Sequence, residues 1–175
     1  MRAYLDARGR IVADWSASRA LLPPYTTTPT LRFIAGPEYP RLTDASRDVL
    51  LRDTFRIAPD SDRMGFRLTG QTLSLVTARE LTSSGVTAGT IQLPPGGAPI
   101  VLMADRQTTG GYPRLGDVIA VDLPLLAQLR PGDSLRFVPT SLAEAQAAYC
   151  AREADLQRAD RALSLRFAAG ADGTR

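Results

Sequence analysis

Apolar positions along this chain come in short runs broken by proline, glycine and acidic residues, a pattern that predicts many short strands rather than long helices. Leu31–Ala35 (LRFIA) reads as a strand closed by Gly36-Pro37. Asp44–Asp53 reads as a short helix with Asp44 in the place of a cap, and Thr54–Ile57 alternates as a strand until Pro59. Met64–Leu68 and Thr72–Val76 are both strand-like and flank Gly70, which predicts a hairpin. Gly85–Gly89 reads as a turn and Thr90–Leu93 as a strand, ahead of the strong turn signal Pro94-Pro95-Gly96-Gly97. Ile100–Met103 is wholly apolar and reads as a buried strand.

Downstream, Asp117–Val121 reads as a strand, and Asp122 as the cap of a helix over Leu123–Leu129, with Pro124 tolerated in its first turn. Pro131-Gly132-Asp133 is a turn before a last strand, Ser134–Val138. Ser141-Leu142-Ala143-Glu144 has the form of a capping box and opens a long helix to about Leu163, expected to pack on the strands by one narrow stripe. The tail from Ala168 is small and polar and is expected to fray. At the other end, Tyr4–Ala13 has room for a short strand or hairpin around Gly9, and Leu21–Thr30 reads as a linker. The pattern divides the chain into an N-terminal segment (1–30), a mainly β domain (31–140) and a C-terminal helix with its tail (141–175). A small β-barrel decorated by two or three helices is the architecture it predicts.

Composition narrows the chemistry more than the fold. The chain has 175 residues, and 44% of them are hydrophobic, enough for a real core. Histidine and lysine are both absent, and all 21 basic residues are arginine. That excludes the usual zinc site, a histidine general base, a Schiff-base lysine and a Walker-type lysine. Asparagine is missing too, so a GC-rich genome accounts for the bias as simply as selection for arginine as a bidentate anion binder. Acids are interleaved with the arginines, giving a net charge of +3 without a basic groove for nucleic acid. No apolar run is long enough to span a membrane, and the N-terminus lacks a signal-peptide core, so the cytoplasm is the expected compartment. The single cysteine, Cys150, falls mid-helix among alanines and reads as a packing residue.

Two segments concentrate polar groups. In Asp60-Ser61-Asp62-Arg63-Met64-Gly65-Phe66-Arg67, Arg63 and Arg67 would share a face if both lay in the strand; an Asx turn followed by an ordinary strand is the plainer reading. In Ala104–Arg114 (ADRQTTGGYPR) a buried strand ends and delivers Asp105, Arg106, Gln107, Thr108, Thr109, Gly110, Gly111 and Tyr112 within eight residues. A rigid strand feeding a glycine-containing loop is a common way to build a site. Arg106 can hold an anion by two parallel hydrogen bonds, the threonines can donate to it, and the glycines allow close backbone approach. A loop whose side chains satisfy one another is the alternative. Gln92 either ends a strand or points inward, and Glu80 with Asp105 would make an acid–base pair only if the fold brought them together.

These motifs carry a family resemblance. Ser61–Leu68 (SDRMGFRL) and Gly85–Phe137, with GVTAGTIQLPPGGAPIVLMADRQTTGGYPRLGDV in order, closely resemble the family of the 5-oxoprolinase C subunit. The same family has been labelled allophanate hydrolase subunit 2, sporulation-kinase-inhibitor antagonist and biotin-dependent carboxyltransferase. The resemblance runs from about Leu31 to Phe137. It implies a cyclophilin-like β-barrel fold and partners in the B and A subunits of 5-oxoprolinase. Together these would open 5-oxo-L-proline to L-glutamate, with ATP consumed at the level of the complex and no metal or covalent cofactor on this chain. On that basis Asp62, Arg63, Gln92 and Asp105–Tyr112 are the expected substrate-binding residues. Arg63 or Arg106 would hold the carboxylate, and Gln107, Thr108 and Thr109 the amide or a phosphoryl group. Regulation of a histidine-kinase inhibitor and carboxyl transfer on urea-like amides are the alternative roles. Family members are about twice as long, and Met1–Thr30 does not resemble their N-terminal lobe, so a site shared between lobes would be incomplete here.

Overall fold

The computed structural model describes residues 4–5, 11–12, 18–77 and 81–171. Its elements, in chain order, are β1 (Tyr4–Leu5), β2 (Ile11–Val12), β3 (Thr30–Ala35), α1 (Asp44–Arg52), β4 (Phe55–Ile57), β5 (Gly65–Thr69), β6 (Ser84–Gly85), β7 (Thr90–Gln92), β8 (Ile100–Leu102), β9 (Thr109–Gly110), β10 (Arg114–Val118), α2 (Leu123–Ala127), β11 (Ser134–Pro139) and α3 (Leu142–Ala171). The chain forms two compact units, Pro24–Gln146, and Met1–Pro23 together with Ala147–Arg175.

In the larger unit seven strands close a barrel in the order β10-β3-β11-β4-β5-β8-β7, with β7 returning to β10. All neighbours are antiparallel except β3 and β11, which run parallel with Leu31 opposite Phe137. The expected mainly β barrel with helices, one of them C-terminal, is the fold observed. Alternation dictates what goes inside: Leu31 and Phe33 on β3, Phe55 and Ile57 on β4, Phe66 and Leu68 on β5, and Leu135 and Phe137 on β11 are buried. Phe137 holds the centre, its ring edge-on to Phe33 at 5.9 Å and tilted against Phe55 at 5.9 Å.

Several local expectations change. Thr72–Val76 is not a strand; it forms one isolated bridge, Leu42 to Leu75. The hairpin about Gly70 is therefore absent, because β5 finds its partners in β4 and β8. The strand expected at Asp117–Val121 starts at Arg114 and ends at Val118, where a 3-10 turn over Ala120–Asp122 leads into α2. Asp122 does not cap that helix. Its carboxylate, 3% exposed, turns away to accept from the backbone N–H of Arg32 (2.8 Å) and from both Nε and Nη2 of the same arginine (2.9 and 2.6 Å). A buried carboxylate gains more from a three-point partner than from a cap. Those bonds raise the Arg32 pKa. Asp44 does not cap α1 either; Thr43 does, its hydroxyl accepting from Ser46 N–H.

The capping box at α3 is present: Glu144 accepts from Ser141 N–H (2.8 Å), and Ser141 Oγ accepts from Glu144 N–H (3.2 Å). The helix passes Leu163 and Ala168 and ends at Ala171. None of its described side chains, 142–165, is buried; Ala145, Ala148, Arg152, Asp155 and Ala159 form a half-buried stripe at spacings of three and four. Cys150 lies off that stripe and is exposed, so it is not a packing residue. In the smaller unit β1 and β2 pair antiparallel, Tyr4 opposite Val12; the expected turn at Gly9 lies outside the described residues. There too, Arg152 donates to the carbonyl of Leu21.

Candidate functional site

Both polar segments lie beside the same strand pair. β5 and β8 run antiparallel with Gly65 opposite Leu102, and the pairing continues past their ends: Met103 N–H donates to Met64 O (3.0 Å) and Asp105 N–H to Arg63 O (2.9 Å). This juxtaposition sets Arg63 against Asp105, forty-two positions along the chain, in a forked ion pair with Nε to Oδ2 at 2.7 Å and Nη2 to Oδ1 at 3.1 Å. Hydrogen bonding from Arg63 holds the Asp105 carboxyl below its ordinary range, and Asp105 in turn raises the Arg63 guanidinium.

That pairing corrects two expectations. Arg63 precedes β5 instead of lying in it, so it shares no strand face with Arg67, which pairs with Asp60 at 3.2 Å. Arg63 is also already engaged by a carboxylate of its own chain. Asp62 makes the Asx turn: its Oδ1 accepts from the N–H groups of Met64 (2.8 Å) and Gly65 (3.2 Å). Glu80, the suggested acid–base partner of Asp105, lies outside the described residues.

Arg106 differs. Its Nη1 donates to Ala104 O at 3.3 Å, while its shielded Nε has no partner among the described residues. Arg114 at the end of the segment likewise keeps an unpartnered Nε among the described residues, so two guanidinium groups here have donors to spare for an anion. Gln107, Thr108 and Thr109 follow with exposed side chains. Their backbone is fixed: β9 pairs with β6, Thr109 opposite Gly85, and Val86 N–H donates to Thr108 O (3.0 Å).

Gln92 points inward. It is 2% exposed and donates to Tyr112 O at the long distance of 3.5 Å. Its carboxamide backs directly on Gly110, where a Cβ would come within 2.5 Å of Nε2. A side chain at 110 would thus force the end of Gln92 to shift. Arg114 ties the small sheet to the barrel, its N–H donating to Glu38 (2.9 Å) and its Nη1 to Gly85 O (3.2 Å).

The last residues of the loop open onto a cavity of about 660 Å³. Gly111, Tyr112 and Pro113 form one wall, Leu93-Pro94-Pro95 a second, and Leu73-Ser74-Leu75 with Leu81 the remainder. Its size is that of a small-molecule site. The sequence reading missed Leu73–Leu75 as a wall because it took them for a strand. The clue available was Gly97: its φ of +77° makes the Pro-Pro-Gly-Gly turn, whose Gly97 carbonyl accepts from Leu73 N–H at 2.8 Å. Among the described residues there is no cluster of acidic or sulfur ligands able to hold a metal ion.

The profile of the family "Carboxyltransferase domain, subdomain A and B" matches residues 3–139. The chain belongs to this family. The match begins well before Leu31, where the resemblance of the motifs begins. Within carboxyltransferase-domain proteins, the chain is 47% identical to the 5-oxoprolinase C subunit of Escherichia coli and 44% identical to that of Haemophilus influenzae, each over 115 residues. Those residues are 66% of this chain, and the chain spans 37% of the length of either relative. The fold also matches the crystal structure of the K. lactis urea amidolyase, with a TM-score of 0.75 at 21% identity over 81% of this chain and 9% of that one. This carboxyltransferase-domain chain therefore has the barrel of that much larger protein.

Proposed function

We propose that this chain is part of an ATP-dependent 5-oxoprolinase complex, in which it binds and presents the lactam 5-oxo-L-proline for opening to L-glutamate. The observation that carries the reading is the 44–47% identity to the C subunits of two 5-oxoprolinases. The polar loop and the cavity give that likeness a physical meaning. Arg106 would take the substrate carboxylate, since Arg63 is occupied by Asp105. Thr108 and Thr109 would donate to the amide oxygen or to a transferring phosphoryl group. Tyr112 and Gly111 connect this loop to the cavity, where the ring would sit.

The chain carries neither histidine nor lysine, so it suits binding and orientation better than proton abstraction. Homologues of the B and A subunits would supply the remaining groups, and ATP would enter at the level of the complex. The test is to coexpress the chain with both homologues and assay ATP-dependent glutamate formation from 5-oxo-L-proline. Co-purification with turnover supports the role; no association with the B-subunit homologue, or a complex without turnover, overturns it.

A further inference from the structure

We infer that the outer face of β3, β11, β4 and β5 docks an acidic segment of a partner protein, with Arg136 and Arg56 as its anchors. This role goes beyond substrate binding and does not depend on it. The four strands are consecutive neighbours in the barrel. Each carries an arginine between two buried apolar residues: Leu31-Arg32-Phe33, Leu135-Arg136-Phe137, Phe55-Arg56-Ile57 and Phe66-Arg67-Leu68. The alternation that sends the flanking side chains into the core sends all four arginines outward, and all four are exposed. Their surroundings differ. The outer two are paired within the chain, Arg32 with Asp122 at 2.6 Å and Arg67 with Asp60 at 3.2 Å. The inner two, Arg136 and Arg56, pair with no carboxylate among the described residues.

Arg56 stands opposite Ser134, two residues before Arg136 on β11, so the two arginines are diagonal neighbours on one face. Arg136 Nε donates to Thr54 Oγ1 (2.8 Å), and Arg56 Nε donates to Gly132 O (3.0 Å). Those bonds steady each side chain and leave the terminal nitrogens of both guanidinium groups to outside acceptors. Two like charges held side by side repel. A carboxylate from outside relieves the repulsion and gains a forked, charge-assisted bond. None of these residues lines the cavity, and the outside of a barrel offers a small molecule no enclosure, so the face suits a protein surface. Exposed Val138, opposite Arg32 on the same face, adds an apolar contact. A nucleic-acid backbone fits poorly. Two free arginines fall short of the roughly 6–10 phosphate contacts that such binding uses, and Asp122 and Asp60 on either side would repel phosphates.

The experiment is an NMR titration of the full chain with hexaglutamate at low ionic strength, with a thymidine oligonucleotide as the comparison. Saturable shifts at Thr54, Arg56, Ser134 and Arg136 are expected, and they should weaken with added salt. Arg56→Gln combined with Arg136→Gln should lower the affinity about tenfold or more. Arg56→Lys combined with Arg136→Lys keeps both charges and should retain most of the binding, which separates lost charge from disturbed folding. Arg158→Gln combined with Arg161→Gln removes the same charge from α3 and should leave the affinity within about twofold. Four outcomes overturn the inference: no saturable shifts on this face, undiminished binding in the Arg56/Arg136 glutamine variant, an equal loss in the α3 variant, or tighter binding of the oligonucleotide at these residues.

Discussion

The carboxamide of Gln92 lies directly beneath Gly110, so near that any side chain at 110 would meet its Nε2 at 2.5 Å. Gln92 is buried in β7, so its carboxamide would have to shift within the barrel to admit a side chain at 110.

Gly110→Ala should therefore destabilise the chain by about 1–3 kcal/mol through overpacking and disturb the pairing of β9 with β6. Thermal unfolding and the amide signals of Ser84 and Gly85 check this. Adding Gln92→Ala makes room and should recover part of the loss; strictly additive effects in the double variant would show that the two residues are not coupled.

Asp122 and Arg32 predict a second stability effect. Asp122→Ala strips a partner from one backbone N–H and from two guanidinium nitrogens. Arg32 can turn partly toward water, since its side chain is 44% exposed, so the expected cost is moderate, about 2–3 kcal/mol. Denaturant unfolding should show a lower midpoint at unchanged slope.

Arg63 and Arg106 should separate in activity assays of the reconstituted complex. Arg106→Ala is expected to lower kcat/KM roughly 10- to 100-fold, with Arg106→Lys recovering only part, because an ammonium cannot reproduce the fork. Arg63→Ala removes an exposed ion pair and should change kcat/KM by less than about fivefold. Equal losses in both would return Arg63 to the binding site.

The start of α3 should respond to acid. Hydrogen bonds from Ser141 N–H, Ser141 Oγ and Thr140 Oγ1 hold the Glu144 pKa below its ordinary value. A depressed folded-state pKa means the cap contributes fully above the unfolded pKa and is lost as pH falls through the folded one. Amide exchange at Ser141 should accelerate over that acid range, and Glu144→Gln should make it faster at neutral pH while flattening the pH dependence.

Local order determined what could be read from the chain alone. Leu31, Phe33, Leu135 and Phe137 alternate with polar neighbours, and alternation alone sends them inward. Ser141 and Glu144 stand three apart, so their cap is a property of four consecutive residues. The absence of histidine and lysine likewise removed whole classes of chemistry on composition alone. Tertiary structure decided the pairings between distant residues. Asp122 has the form of a helix cap, but closure of the barrel brings Arg32 to it across ninety positions, and a charged fork outcompetes the cap. Thr72–Val76 has strand composition, but β4 and β8 already occupy both edges of β5, so the segment becomes a cavity wall held by Ser46. In the ADRQTTGGYPR loop the sequence determined which donors are present. The juxtaposition of β5 and β8 gave Arg63 a carboxylate, while the Nε of Arg106 has no partner among the described residues.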